Sequence, residues 1–185
     1  SKHYRIIDHS KDSLDHFISV IPVKYTTARD VSQKVMDGVF NKMNISSSAS
    51  CTAHFPIFGG NISDWESFTR DCLRKENHLP SDLVRSLIKN YGTQYPAVLK
   101  YLTSDHSISS TLSILRAEIL HGIHEEMAQT LKDIVFRRTE IGTLGHPGNA
   151  VLEFCATMMG QALDWDQSRI QAEIQSVEDS YPFIS

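Results

Sequence analysis

Cysteine is scarce in this chain. Three thiols among 185 residues, with no C-x-x-C pair, leave neither a disulfide framework nor a zinc-site spacing. Cys51, Cys72 and Cys155 read instead as ordinary thiols of a reducing compartment. No G-x-G-x-x-G follows a strand-like run, which excludes a Rossmann-type FAD or NAD site within the chain. No G-x-S-x-G elbow is present, so the nucleophile turn of an α/β-hydrolase is excluded as well. Basic excess is also missing: 18 Lys and Arg stand against 22 Asp and Glu, a net charge of −4, which argues against nucleic-acid backbone binding. No apolar run reaches the length of a membrane-spanning helix, and the polar start lacks the apolar core of a signal peptide. Without that signal, the glycosylation-like triplets at Asn44 and Asn61 carry no weight. Position 1 is Ser, not Met, and strand-like residues follow almost at once, the pattern expected of a piece of a longer protein.

What is present is ordinary globular composition, 41% apolar and 22% charged, enough for one well-buried core. Tyr4 to Asp8 and Phe17 to Val23 are β-branched and aromatic-rich and predict two paired strands. Thr26 and Thr27 are N-cap candidates for a helix carrying Val31, Val35, Val39 and Met43. The serine-rich run from Ile45 to Ser50 marks a boundary. Beyond it, helices are punctuated by turn signals. Ser63 to Glu66 reads as a capping box for a helix burying Trp65, Phe68 and Cys72 or Leu73. Leu79-Pro80-Ser81 opens a helix closed by Gly92, and Pro96 opens a short one. A long helix is expected from about Ser113 to Thr139, with Leu120, Ile123, Met127, Leu131 and Ile134 on one face. Thr143 to Asn149 is a loop, Val151 to Ala162 a helix, and Asp164 caps a last helix with Ile170, Ile174, Val177 and Tyr181. The fold class is therefore mostly α: a helical bundle domain preceded by a short two-stranded β element and one helix. The expected organisation is 1–45, a linker at 46–62, and a helical domain at 63–185.

Periodicity makes the long stretch a helix but does not account for its wording. Ala117-Glu118-Ile119, His124 to Ala128, Thr130-Leu131, Asp133-Ile134 and Arg137-Arg138-Thr139 resemble the C-terminal helical domain of FAD-dependent glycerol-3-phosphate dehydrogenases and their oxidase relatives. Asp8-His9-Ser10, Phe17 to Val20 and Lys24-Tyr25-Thr26-Thr27-Ala28-Arg29 resemble the end of the flavin domain in that family. Cys51-Thr52, Pro56-Ile57 and Gly59-Gly60 continue the same order, so the resemblance spans nearly the whole chain. One departure is that the family's Gly-Gly before the lysine is Pro22-Val23 here.

The resemblance implies that residues 1–45 are the end of a flavin-binding domain. It implies a parent oxidising glycerol 3-phosphate to dihydroxyacetone phosphate, with electrons passing to FAD and then to quinone or oxygen. Lys24, Thr26, Thr27 and Arg29 would touch cofactor or substrate in that parent, where the partner is the flavin domain of the same polypeptide. The chain alone is expected to be inactive and to hold no FAD. No catalytic and no metal residue is assigned within it, and the expected location is cytoplasmic, either free or peripheral to the inner face of a membrane. The alternative is a stand-alone helical interaction or regulatory module. Such a module should cover the edges of its two strands, whereas a part of a larger protein leaves them unpaired.

Other constellations read mainly as structure. Arg138 shares the wheel face of Leu120 and Leu131, and Arg116 lies close to it. Arg138 is expected to be buried and paired with a carboxylate from another helix, such as Glu153, Asp164 or Asp166. Asp133 and Arg137 are spaced as an exposed helix pair. Glu118-x-x-His121 has metal-compatible spacing, but one such helix cannot supply the ligand count, and the pair is expected to point away from the apolar face. His124-Glu125 begins like a zincin motif, but Ala128 stands at the second histidine position. His54 and His106 are expected in solvated loops.

Overall fold

The computed structural model describes residues 3–103 and 109–181, so His106 lies outside the described residues. The chain divides into two compact units, Ser1–Ile57 and Phe58–Ser185. It is mostly α-helical, with a two-stranded sheet and one helix preceding the helical domain.

In the first unit, β1 (Arg5–Asp8) and β2 (Ile18–Ile21) pair antiparallel, with Ile6 opposite Val20 and Asp8 opposite Ile18. Asp8 closes the connecting turn by accepting from the Ser10 N–H at 2.9 Å, and Ser13 takes a left-handed conformation at φ 62°. Helix α1 (Ala28–Lys42) is tied to this hairpin near both ends. Lys42 Nζ reaches Asp8 Oδ1 at 2.6 Å, and the Tyr4 hydroxyl donates to Asp30, which also pairs with Lys34 at 2.9 Å.

The second unit is built around α5 (Ser110–Glu126), which is apolar on nearly every side. Leu115, Ile119 and Ile123 join a core with α6 (Leu131–Asp133), α7 (Asn149–Leu163) and α8 (Gln167–Glu178). Ile114 and Ala117 join a second core with α2 (Trp65–Lys75), α3 (Ser81–Tyr91) and α4 (Tyr95–Leu99). A helix buried all round has no solvent face to display, so its sequence shows only a weak amphipathic stripe. Gly92 ends α3 with φ at 54°; a Cβ there would lie 2.0 Å from the Gly59 carbonyl oxygen, so only glycine fits the approach of these two turns.

The long helix expected from Ser113 to Thr139 is interrupted. Met127 turns left-handed at φ 59°, and the N–H groups of Met127 and Ala128 both donate to the Gly122 carbonyl. The chain restarts at Thr130, which forms a capping box with Asp133, and α6 runs on as one π turn at Ile134–Arg138. Burial raises the pKa of Asp133, but hydrogen bonds from Gln129 and Thr130 and the charge of Arg137 outweigh it and hold the carboxyl below its ordinary range.

The single-wheel assignment fails in three places, at Met127 and Arg138 because the break resets the helical phase and at His121 because α5 is buried on nearly every side. Met127 is 80% exposed instead of lining the core. His121 is buried, not turned away. Arg138 is not buried: its side chain is 41% exposed, and its partner is Glu126 at the end of α5. Its Nη2 donates to the Glu126 carbonyl at 2.9 Å, and its Nη1 lies 3.7 Å from the Glu126 carboxylate, so it closes the break from outside. Arg116 donates to the Tyr101 carbonyl at 3.2 Å, and Asp133–Arg137 is the expected exposed pair at 2.7 Å.

Smaller shifts have local reasons. Asp64, not Ser63, caps α2, because its carboxylate reaches the Ser67 N–H at 2.8 Å. Trp65 therefore stands at the first turn and is half exposed. Asp166 caps α8, while Asp164 ends α7 in the left-handed region.

Because Arg138 is solvent-accessible, Arg138→Ala should cost only about 1 kcal/mol in a urea melt. A loss several times larger would restore a buried ion pair.

Candidate functional site

β2 runs through Pro22-Val23 into a short 3-10 turn at Tyr25–Thr27 that opens α1. Proline at 22 has no N–H to offer the turn, and Lys24 enters it with extended backbone. Thr27 occupies the N-cap position of α1 without capping it; its hydroxyl donates instead to the Lys24 carbonyl at 2.8 Å. The first-turn N–H groups of α1 are thus not capped by that side chain, next to an exposed ammonium.

The four residues of the turn do not converge on one point. Lys24 and Thr27 line a groove of about 490 Å³ with Val20, Val23, Val31 and Ser32. Arg29 lines another groove of about 380 Å³, with Ser32, Met36, Phe40, Ser50 and Thr52 among its walls. Arg29 Nη1 donates to Gln33 Oε1 at 2.8 Å and to Thr52 Oγ1 at 3.2 Å. Thr26 is exposed on the turn between them, and Tyr25 is almost wholly exposed. Sequence reading missed the second groove because Ser46 to Thr52 reads as linker, yet its hydroxyls supply one wall.

The hairpin beside this turn is strongly apolar for an exposed element. Phe17, Val20, Ile21 and Val23 are all more than 40% exposed. Among the described residues the sheet has two strands, so each strand keeps one unpaired edge.

Against these observations stand the comparisons with known proteins. Residues 50–170 match the family model of the C-terminal domain of alpha-glycerophosphate oxidase. The chain belongs to that family. It is 27% identical over 167 residues to the probable mitochondrial glycerol-3-phosphate dehydrogenase of Dictyostelium discoideum, covering 88% of this chain and 26% of that protein. It is 26% identical over 185 residues to the glycerol-3-phosphate dehydrogenase of Synechocystis, covering 97% of this chain and 33% of that protein. The chain thus spans about a quarter to a third of the length of these curated relatives. The solved glycerol-3-phosphate dehydrogenase of Bacillus halodurans, complexed with FAD, shares the fold, with a TM-score of 0.72 at 23% identity over 88% of this chain and 34% of that one. The N-terminal hairpin and turn fall outside the family match but inside the Synechocystis alignment.

The helical domain carries its own polar cluster, in which Tyr91 of α3 joins Glu118 and His121 of α5, a meeting of distant segments that the sequence does not reveal. Tyr91 donates to Glu118 Oε1 at 3.2 Å and meets His121 edge-on at 5.5 Å. Among the described residues the Nδ1 of His121 has no hydrogen-bond partner, and burial lowers the pKa of the ring. Burial pushes Glu118 up to about 7, with the charge of Glu140 adding to the rise and the Tyr91 hydrogen bond opposing it. Among the described residues no group of side chains has metal-binding geometry. No helix among them is long and apolar enough to cross a membrane.

Glu118 is neutral in the folded protein at a pH where the unfolded chain ionises it. Its contribution to stability is complete below the unfolded value of 4.5 and is lost as pH rises through about 7. Glu118→Gln should remove that loss, so the variant gains on the native chain by about 2 kcal/mol between pH 5 and pH 8. Parallel denaturant melts at the two pH values test this; an unchanged difference would mean that Glu118 is solvated.

Proposed function

We propose that this chain serves as the C-terminal region of an FAD-dependent enzyme that oxidises glycerol 3-phosphate to dihydroxyacetone phosphate, with electrons passing on to quinone or oxygen. The observation that carries this reading is the family match over residues 50–170. The relatives' names and the exposed, unpaired hairpin support it. In this reading residues 1–45 complete the flavin domain, 46–62 link it onward, and 63–185 form the helical domain. The partner of the apolar hairpin is the flavin domain of the same polypeptide.

Bound FAD supplies the hydride acceptor. Among the described residues there is no dinucleotide-binding fold, so the contribution of this chain is one wall. The Lys24 ammonium is exposed beside the start of α1, where the Thr27 side chain makes no capping hydrogen bond, and an exposed ammonium there suits a phosphate or an oxyanion. The Thr26 hydroxyl is exposed on the same turn, and Thr27 fixes the backbone of Lys24 by its hydrogen bond. Arg29 faces the second groove and adds positive charge there. A cytoplasmic placement, peripheral to the inner face of a membrane, belongs to the same proposal, and the free thiols support a reducing compartment.

In the full-length polypeptide, Lys24→Ala should keep the flavin absorbance and lower glycerol-3-phosphate-dependent dye reduction by about a hundredfold. Unchanged turnover would remove the role of this turn, and a native enzyme whose flavin is not bleached by glycerol 3-phosphate would remove the assignment itself. The 185-residue chain alone should give no saturable FAD binding by calorimetry, because an open groove encloses too little of the ligand. Micromolar binding there would contradict the one-wall arrangement.

A further inference from the structure

Helices α2 and α3 flank a groove of about 410 Å³ lined by Trp65, Glu66, Thr69, Arg70, Leu73 and Arg85. The α2 residues fall at successive turns of one helix face, so the groove is a continuous feature of that helix. Three of its properties are not used by the fold. Among the described residues, Arg70 and Arg85 have no carboxylate within ion-pair distance, whereas Arg74 pairs with Asp71 at 3.4 Å and Lys75 with Glu76 at 3.7 Å. The Thr69 hydroxyl is shielded from solvent and has no hydrogen-bond partner, although a threonine inside a helix ordinarily turns its hydroxyl back to a carbonyl of the preceding turn. Trp65 is 48% exposed and stands tilted against Phe68 at 6.0 Å, presenting ring surface to the groove.

We propose that this groove is a binding site for a phosphate-bearing small molecule, with Arg70 and Arg85 holding the phosphate and Trp65 facing any flat apolar part. Two guanidinium groups outnumber the single carboxylate of Glu66, so the groove favours an anion. Planar guanidinium forks suit phosphate oxygens, and a tryptophan face suits a ring. The site uses no residue of the Lys24 turn and lies within the unit Phe58–Ser185, so its test is independent of the proposed function.

The test is a titration of the 185-residue chain with inorganic phosphate, AMP and adenosine at constant ionic strength, followed by NMR at the Trp65 indole N–H. Phosphate, AMP or both should saturate the signal below about 5 mM, and Arg70→Ala or Arg85→Ala should weaken binding about tenfold. Both arginines are exposed, so these variants should keep the native helical spectrum. AMP binding more tightly than phosphate, or in its place, assigns the ring to Trp65; equal binding assigns a bare phosphate. The proposal is overturned if neither ligand saturates, if adenosine binds as well as AMP, or if both arginine variants bind as the native chain does.

Discussion

One buried carboxylate holds the helical domain in its shape. Glu173 of α8 accepts the N–H of Leu131, the first residue of α6, at 2.8 Å, and its other oxygen pairs with Arg169. A helix restart leaves N–H groups that the helix itself cannot satisfy, and a buried one needs an acceptor from elsewhere. Glu173 supplies it across more than 40 residues of chain. Without that acceptor, the break after Glu126 would leave a polar group stranded beside Leu131, Ile134 and Val135, which are fully buried. The capping box at Thr130, the Arg138 contact to Glu126 and the left-handed Met127 are the outer parts of the same junction.

This junction accounts for the wording that periodicity could not. Glu126, Met127 and Ala128 form the turn out of α5, Thr130 and Asp133 cap the restart, and Arg138 returns to the Glu126 carbonyl. The stretch that carries the family resemblance therefore builds a helix break. The same family membership that the wording implied is carried by the match over residues 50–170.

Element type was legible wherever caps and stripes agreed: the hairpin, α1, α3 with Gly92, and α7 lie where the pattern puts them. The break was not, because Leu120 to Ile134 keeps a helix-like spacing straight through it. The signal was nevertheless present, since Thr130 and Asp133 stand three apart in the order of a capping box. Burial on α5 was illegible for a different reason. A helix with two apolar neighbours has no polar face to define its orientation, so His121 and Glu118 gave no sign of facing α3. At the candidate site, the sequence placed Lys24, Thr26, Thr27 and Arg29 on one strand-to-helix turn, and that is where they are. It does not encode that a single turn of chain separates Lys24 and Arg29 onto different grooves, which depends on the packing of β2, α1 and the serine-rich segment.

The position of α5 also governs how the domain comes apart. Both apolar clusters use it as a shared wall, Leu115, Ile119 and Ile123 for one and Ile114 and Ala117 for the other. Loss of α5 would strip both clusters of one wall at once, which couples their unfolding through that helix. Coupling of this kind predicts one cooperative thermal transition for residues 58–185, where two independent cores would give two.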